Sequence, residues 1–439
     1  MSAAPGAQPL GTAQRLRAVV IGSLGNFVEW HDFYVYSTFS LYFGDAFFPG
    51  DDPLAQTLST SGVFALGFFM RPIGALLFGA VGDRYGRRVS LMLSVALMCV
   101  GSVLIAVAPT HAQAGVLAPA LLLFARLLQG LSLGGEYGSS AAYLCEMAEP
   151  HRRGLYSSLQ YVTTMAGQLL ALLELLLLQN MLLTRSQLAD WGWRIPFAVG
   201  ALLAVAALAL RRDLHETPAY EAARERPRGK SALRTLMEHP RELALVLGVT
   251  LGGTVAFYVY ATYMQKYLKL SAGFSDSQTT WISLCAMIYA MCAQPLLGAL
   301  SDRIGRKPLL IAFGVSGTLL TGPLLSAVKE TKDPLVALAL ICCGWTIVSA
   351  YTSIGAVVKS ELFPAAVRVT GVALPYAITV SLFGGSAEYV ALWFKSQGHE
   401  SWFYIYASSA IAISLCVYLR MRDTKRCSAL DRDFAPPDA

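Results

Sequence analysis

The chain has 439 residues, of which 55% are hydrophobic and only 14% charged, with a formal net charge of +6 and a mean hydropathy of +0.51. Soluble domains carry roughly 25% charged residues. The composition therefore excludes an ordinary globular protein and predicts an all-α membrane protein.

A polar arm, residues 1–18, leads into the first of twelve apolar runs, centred near residues 31, 70, 99, 130, 168, 203, 254, 289, 318, 346, 381 and 411. Each is about twenty residues long, enough to cross a bilayer as a helix. The arm ends in Arg15 and Arg17 with no short apolar core or small-residue cleavage site after it, so the first run is expected to stay in the membrane. Within that run lies Gly25 to Tyr36, GNFVEWHDFYVY, with two carboxylates where hydrocarbon or dry core is expected. Glu29 and Asp32 are three apart and share a helix face. His31 is adjacent but points off that face.

Further charges follow at related depths, judged from a rise of about 1.5 Å per residue. Arg71 falls near the middle of the second run, Arg126 about a turn outward of the middle of the fourth, and Glu136 on the fourth run's inner half. Ionisable groups in spans are costly and as a rule face a cavity or one another. A guanidinium stays charged and matches a carboxylate with two parallel hydrogen bonds. Two of them at one depth suit a substrate with two carboxylates. Substrate held by an arginine would free Glu29, Asp32 or Glu136 to take a proton. The alternative is a permanent structural ion pair of these carboxylates with Arg71 or Arg126.

Polar residues at the same depth, Thr164, Gln168, Thr254, Tyr258, Gln294, Tyr376 and Thr379, are placed to bond a substrate or neighbouring helices. Glu174 and Glu388 lie nearer the outer face and read as vestibule charges. Gly130, Gly134, Gly135, Gly384 and Gly385 allow close helix crossings.

The runs form two sets. Six occupy residues 19–210, a basic segment spans 211–242, six more occupy 243–420, and a tail covers 421–439. The basic segment reads as a topology signal and a contact for anionic lipid, not nucleic acid. Lys and Arg concentrate in the loops on the side of the N-terminus, which places both termini in the cytoplasm. Gly79-x-x-x-Asp83-Arg84-x-Gly86-Arg87-Arg88 recurs as Gly298-x-x-x-Asp302-Arg303-x-Gly305-Arg306-Lys307, and Glu146 with Arg153 recurs as Glu361 with Arg368. A duplication explains both repeats.

Six of the eight cysteines, Cys99, Cys285, Cys292, Cys342, Cys343 and Cys416, lie in apolar runs without metal or redox spacing and read as packing residues. No metal site is expected. A phosphate-binding glycine loop is missing, which argues against an ATP-driven pump. No nucleophile and base or metal set shares one depth, which argues against an enzyme.

The repeated loop resembles the signature of the major facilitator superfamily, whose two six-helix halves are pseudo-symmetric. In that setting Asp83, Arg87, Glu146, Arg153, Asp302, Arg306, Glu361 and Arg368 form a cytoplasmic gate of ion pairs; the alternative is that they only anchor topology. Pro150 follows Glu146 by four residues but Pro364 follows Glu361 by three, so the two half-gates need not be equivalent.

GNFVEWHDFYVY, FFMRPIG, GDRYGRR, RLLQGLSLGGEYG and WGWRIPF are together similar to the metabolite:proton symporter family within the superfamily, over about residues 15–420. YVTTMAGQLLALL, TYMQKYL, YTSIGAVVKSELFPAAVRVTG and FGGSAEYVAL most resemble members that carry α-ketoglutarate (2-oxoglutarate). The resemblance implies proton-coupled uptake of a small dicarboxylate across a bacterial inner membrane by alternating access. The protein is expected to act as a monomer with no cofactor beyond the coupling proton. Arg71, Arg126, Gln168, Tyr258 and Tyr376 are then the substrate-binding candidates, and Glu29, Asp32 and Glu136 the proton carriers. Alternatives are citrate, another dicarboxylate, or a zwitterion such as betaine or proline. A non-transporting sensor is more remote. The tail ends DFAPPDA without heptads, which gives no support for a coiled coil.

Overall fold

The computed structural model describes residues 12–50, 60, 62–64, 66–212, 216, 220–221 and 237–433, and every regular element among them is helical. The start of the polar arm, most of the central segment and the end of the tail lie outside the described residues.

Helix α1 spans Thr12–Phe47. It begins inside the segment that the sequence assigned to the arm. Eleven further helices are long and apolar enough to cross a bilayer: α2 (Gly62–Tyr85), α3 (Arg87–Ala106), α4 (Leu117–Met147), α5 (Pro150–Leu182), α6 (Arg194–Arg211), α7 (Pro240–Ala272), α8 (Ser277–Ile304), α9 (Arg306–Glu330), α10 (Pro334–Ser360), α11 (Arg368–Ser396) and α12 (Glu400–Asp431). With 36 residues α1 is long enough to join them, but Asn26, Glu29, His31 and Asp32 dilute its apolar character.

In the first half α1 packs on α5, α2 and α3 on α4, and α3 on α6; in the second α7 and α9 pack on α12, and α8 and α9 on α10. The halves meet where α5 crosses α8 and where α11 crosses α2 and α4. Small residues permit the crossings that matter most. A Cβ on Gly130 would lie 2.1 Å from the Gly67 carbonyl oxygen, and one on Gly134 2.1 Å from that of Arg71. Backbone contact between α2 and α4 thus brings Arg71 and Arg126 into one neighbourhood. Helix α7 turns π-helical at Val259–Tyr263, directly after Tyr258, and α11 at Val380–Gly384. Such bulges commonly mark functional sites.

At the end carrying the repeated loops, Gly86 and Gly305 adopt φ of 108° and 99°, the region open to glycine. The halves are closed there. Gly154 of α5 faces Gly298 of α8 so closely that a Cβ on either would lie 2.5 to 2.6 Å from the other's carbonyl oxygen.

Two further boundaries differ from the sequence reading. Arg211, expected to open the central loop, is the last residue of α6 and fully buried. The tail does not hang free, because Thr424–Arg426 and Ala429–Asp433 are helical and Ala429 N–H donates to the Glu361 carbonyl at 2.8 Å.

Candidate functional site

The polar stretch of α1 faces α3, α4 and α5. Asn26 donates to the Gln160 carbonyl at 2.7 Å and to Thr164 at 2.8 Å, which ties α1 to α5. Glu29 is buried against Ser132 of α4. Asp32 accepts from Ser102 of α3 and contacts His31 Nδ1 at 3.0 Å. The other ring nitrogen of His31 lies 3.1 Å from Glu174 Oε2 on α5. The residue that pointed off the carboxylate face therefore joins two carboxylates. Sequence spacing hid this, because Glu174 is brought over by α5.

Arg71 and Arg126 are 3% and 1% exposed. Arg126 Nη1 donates to Gln129 at 2.8 Å, and its Nε has no hydrogen-bond partner among the described residues. Its guanidinium lies 4.2 Å from the Tyr36 ring centroid and 5.2 Å from that of Phe33. Arg71 lies 5.9 Å from the same Phe33 ring and 5.1 Å from Phe68, with one 3.3 Å hydrogen bond to Tyr258. Two cations thus flank one aromatic ring, supported by cation–π contacts. Among the described residues neither forms an ion pair, so the permanent pairing with Glu29 or Asp32 is not what the structure adopts.

Other candidates divide. Gln168 is buried with neither amide atom hydrogen-bonded among the described residues. Tyr258 joins Arg71, bringing α7 to the site from the second half. Tyr376 instead stacks on Tyr137 at 3.5 Å. Glu136, read as a proton carrier, holds Arg211 in a 2.5 Å ion pair with both side chains fully buried, and accepts from Ser94 at 2.7 Å. A cation from the end of α6 occupies it, a partner that the sequence placed in a loop.

The sequence reading also missed Lys359. Buried at the end of α10, its Nζ donates to Tyr137 OH at 2.6 Å and lies 4.4 Å from the Tyr376 ring centroid.

The eight gate candidates gather at the closed end, with partners partly different from those expected. Asp83 accepts from Val369 N–H and Thr370 N–H, both at 3.0 Å, and from Thr370 Oγ1 at 2.6 Å. Asp302 accepts from Gly154 N–H at 2.8 Å and Leu155 N–H at 2.9 Å. Each aspartate of one half thus caps the first turn of a helix in the other, where the helix dipole favours an anion. Glu146 takes Arg87 of its own half at 2.9 Å and Arg368 of the other at 2.6 Å. The second half-gate is different: Arg306 bonds Asp302 at 2.8 Å and reaches Glu361 at 3.5 Å, while Arg153 pairs with Asp431 of the tail at 2.7 Å. Burial raises the Glu361 carboxyl above its ordinary range, opposed by Arg306 and Thr424.

Residues 18–242 match the family model described as sugar (and other) transporter, and residues 254–432 match that of the Major Facilitator Superfamily. The alpha-ketoglutarate permease of Escherichia coli K12 is 49% identical over 93% of this chain and 94% of its own length. The chain belongs to the major facilitator superfamily. Its superfamily relatives include the citrate-proton symporter of Klebsiella pneumoniae, 34% identical over 84% of this chain and 83% of its own length. Another is the glycine betaine/proline/ectoine/pipecolic acid transporter of Dickeya dadantii, 32% identical over 93% and 84%. Among solved structures, the proton:xylose symporter XylE superposes with a TM-score of 0.79 at 20% identity, over 96% of this chain and 98% of that one. The expected all-α fold of two six-helix bundles is therefore the fold of this transporter.

Proposed function

We propose that the chain is a secondary carrier that takes up 2-oxoglutarate with protons by alternating access. The observation that carries this reading is the pair of buried arginines without carboxylate partners among the described residues, flanking Phe33 at the meeting of α1, α2 and α4. A dicarboxylate satisfies both. Unpaired buried cations are costly, and Gln168 supplies an amide with hydrogen bonds to give. Tyr258 contributes from the second half, so binding spans both halves. The relative named alpha-ketoglutarate permease supports this choice of dicarboxylate. Citrate is the nearest competitor; a zwitterion would leave one arginine unmatched.

Glu29 and Asp32 carry the protons, since Glu136 is neutralised by Arg211. The chain works without a metal or organic cofactor, as a monomer in a bacterial inner membrane. The closed end faces the cytoplasm together with both termini. Liposomes holding the purified protein under an imposed pH gradient, offered labelled 2-oxoglutarate, citrate, succinate and betaine in turn, test the substrate. We expect strong accumulation of 2-oxoglutarate; accumulation of betaine alone would refute the dicarboxylate reading.

Asp83 and Asp302 then act as latches that stabilise the closed end. Asp83→Asn removes the charge at a helix N-terminus and one acceptor. It should weaken closure by about 1–2 kcal/mol, slowing transport several-fold while leaving substrate affinity nearly intact. An unchanged transport rate would reduce Asp83 to a structural role.

A further inference from the structure

Hydrogen bonds around Asp32 impose a minimum proton count. His31 touches Asp32 Oδ1 through Nδ1 at 3.0 Å and Glu174 Oε2 through Nε2 at 3.1 Å. A neutral imidazole has one N–H and one lone pair, and an ionised carboxylate only accepts. Both contacts are hydrogen bonds only when the three groups share at least two protons; with two, they are an imidazolium between two carboxylates, or a neutral ring with one carboxylic acid. Either way the trio has a net charge of −1. Loss of a proton sets two lone pairs against each other, and one contact must open.

The trio is shut at one end and reaches the edge of the fold at the other. His31 and Asp32 are fully buried, whereas 13% of the Glu174 side chain is exposed. On its far side Asp32 continues into a directed chain. Arg126 Nη1 donates to Gln129 Oε1 at 2.8 Å, Gln129 Nε2 donates to Ser102 Oγ at 3.1 Å, and Ser102 donates to Asp32 Oδ2. Ser102 has a single hydroxyl proton, with the Met98 carbonyl at 3.1 Å as its other acceptor; with that proton on Asp32, every donor points toward Asp32 and each bond polarises the next.

The geometry points to His31 as a proton-carrying residue of this carrier: a transported proton is held by the Glu174, His31 and Asp32 trio, and its occupancy is linked through Ser102 and Gln129 to the state of Arg126. The inference rests on Arg126 as a substrate-binding group and goes beyond it in assigning His31 and Glu174. A proton arriving on Glu174 passes to His31 Nε2 while the Nδ1 proton passes to Asp32 Oδ1; no other bond changes. The amide of Gln129 transmits polarisation, not a proton. When substrate draws Arg126 from Gln129, Asp32 loses donated support as an anion and keeps its proton. After substrate leaves, the bond to Gln129 re-forms and the proton is released.

Among the described residues, the other titratable groups near the trio are Arg126 of α4, Cys99 of α3 and Glu29 one turn along α1. Helix α6 presents Gly200, where a Cβ would lie 1.7 Å from Asp32 Oδ1. No second cation on these helices replaces His31 as partner of Asp32 among the described residues.

Two variants of the full chain test this. His31→Phe keeps a ring and accepts no proton; Glu174→Gln removes the outer carboxylate. In liposomes, uptake of 2-oxoglutarate driven by a pH gradient should slow by at least about tenfold in each. Exchange of labelled for unlabelled substrate at equal pH should slow by less than about threefold, because it moves no net proton. Equal slowing of both processes, or wild-type driven uptake in both variants, would overturn the assignment. A substrate-free readout separates this from the choice of substrate: proton titration of the purified protein should show one fewer titrating group in His31→Phe than in wild type. An unchanged titration refutes the trio even if 2-oxoglutarate is carried. Wild-type protein that fails to carry 2-oxoglutarate, with the titration difference present, refutes the substrate and leaves the trio standing.

Discussion

Replacing Arg126 by alanine is expected to weaken 2-oxoglutarate binding by about 2–5 kcal/mol, the loss typical of a desolvated, hydrogen-bonded charge pair. That is roughly 30-fold to several thousandfold in Kd. Arg126 is buried and, among the described residues, has one hydrogen bond and leaves Nε without a partner. Most of its donors are therefore available to a carboxylate. Arg126→Lys should also be impaired, because a point charge cannot reproduce the planar fork. Arg71→Ala should show a loss of similar size if the substrate has two carboxylates, and a small one if it is a zwitterion. Calorimetry on folded protein decides; near-normal affinity in Arg126→Ala would remove it from the site.

Neutralising the α1 carboxylates should separate exchange from accumulation. A dianion entering a negative-inside cell is opposed by about 4.6 kcal/mol per 100 mV, since each charge contributes about 2.3. One proton offsets half of that and leaves a net negative charge to move inward. Two make the cycle electroneutral, so at least two are expected. Glu29 and Asp32 are placed to hold them: both are buried on α1, neither is ion-paired with an arginine among the described residues, and each accepts from a serine of a neighbouring helix. Glu29→Gln and Asp32→Asn should each abolish accumulation against a gradient and retain some exchange of internal for external substrate. Voltage-clamped liposomes check the count: inward negative current during uptake of the dianion would contradict it, and full accumulation in both variants would free these carboxylates of the role.

Most of the architecture was legible in the sequence, because a bilayer converts composition into structure. Apolar runs of spanning length become helices, and the repeated glycine-aspartate-arginine loop shows the duplication. The buried arginines and carboxylates were also legible, since ionisable residues stand out against hydrocarbon. Their partners were not. Glu136 looked like a free carboxylate until α6 brought Arg211 to it, 75 residues along the chain. The gate aspartates looked like halves of ion pairs, and Asp302 does pair with Arg306 at 2.8 Å and Asp83 with Arg87 at 3.8 Å, but both also bind backbone N–H groups at the starts of opposite helices. A backbone donor has no sequence signature.

The sequence by itself determined the class of fold, the two halves, and which residues are too costly to be in a membrane without a purpose. The tertiary structure decided which of those residues are neutralised and which remain available. It joined His31 to Glu174 across α1 and α5, set Arg71 and Arg126 on either side of Phe33 through the close α2 and α4 crossing, and enclosed Lys359 among tyrosines. The physical reason is that hydropathy and spacing report the depth and face of each residue on its own helix. A charge is paired or unpaired according to which other helix turns toward it, and that is fixed only when the helices pack.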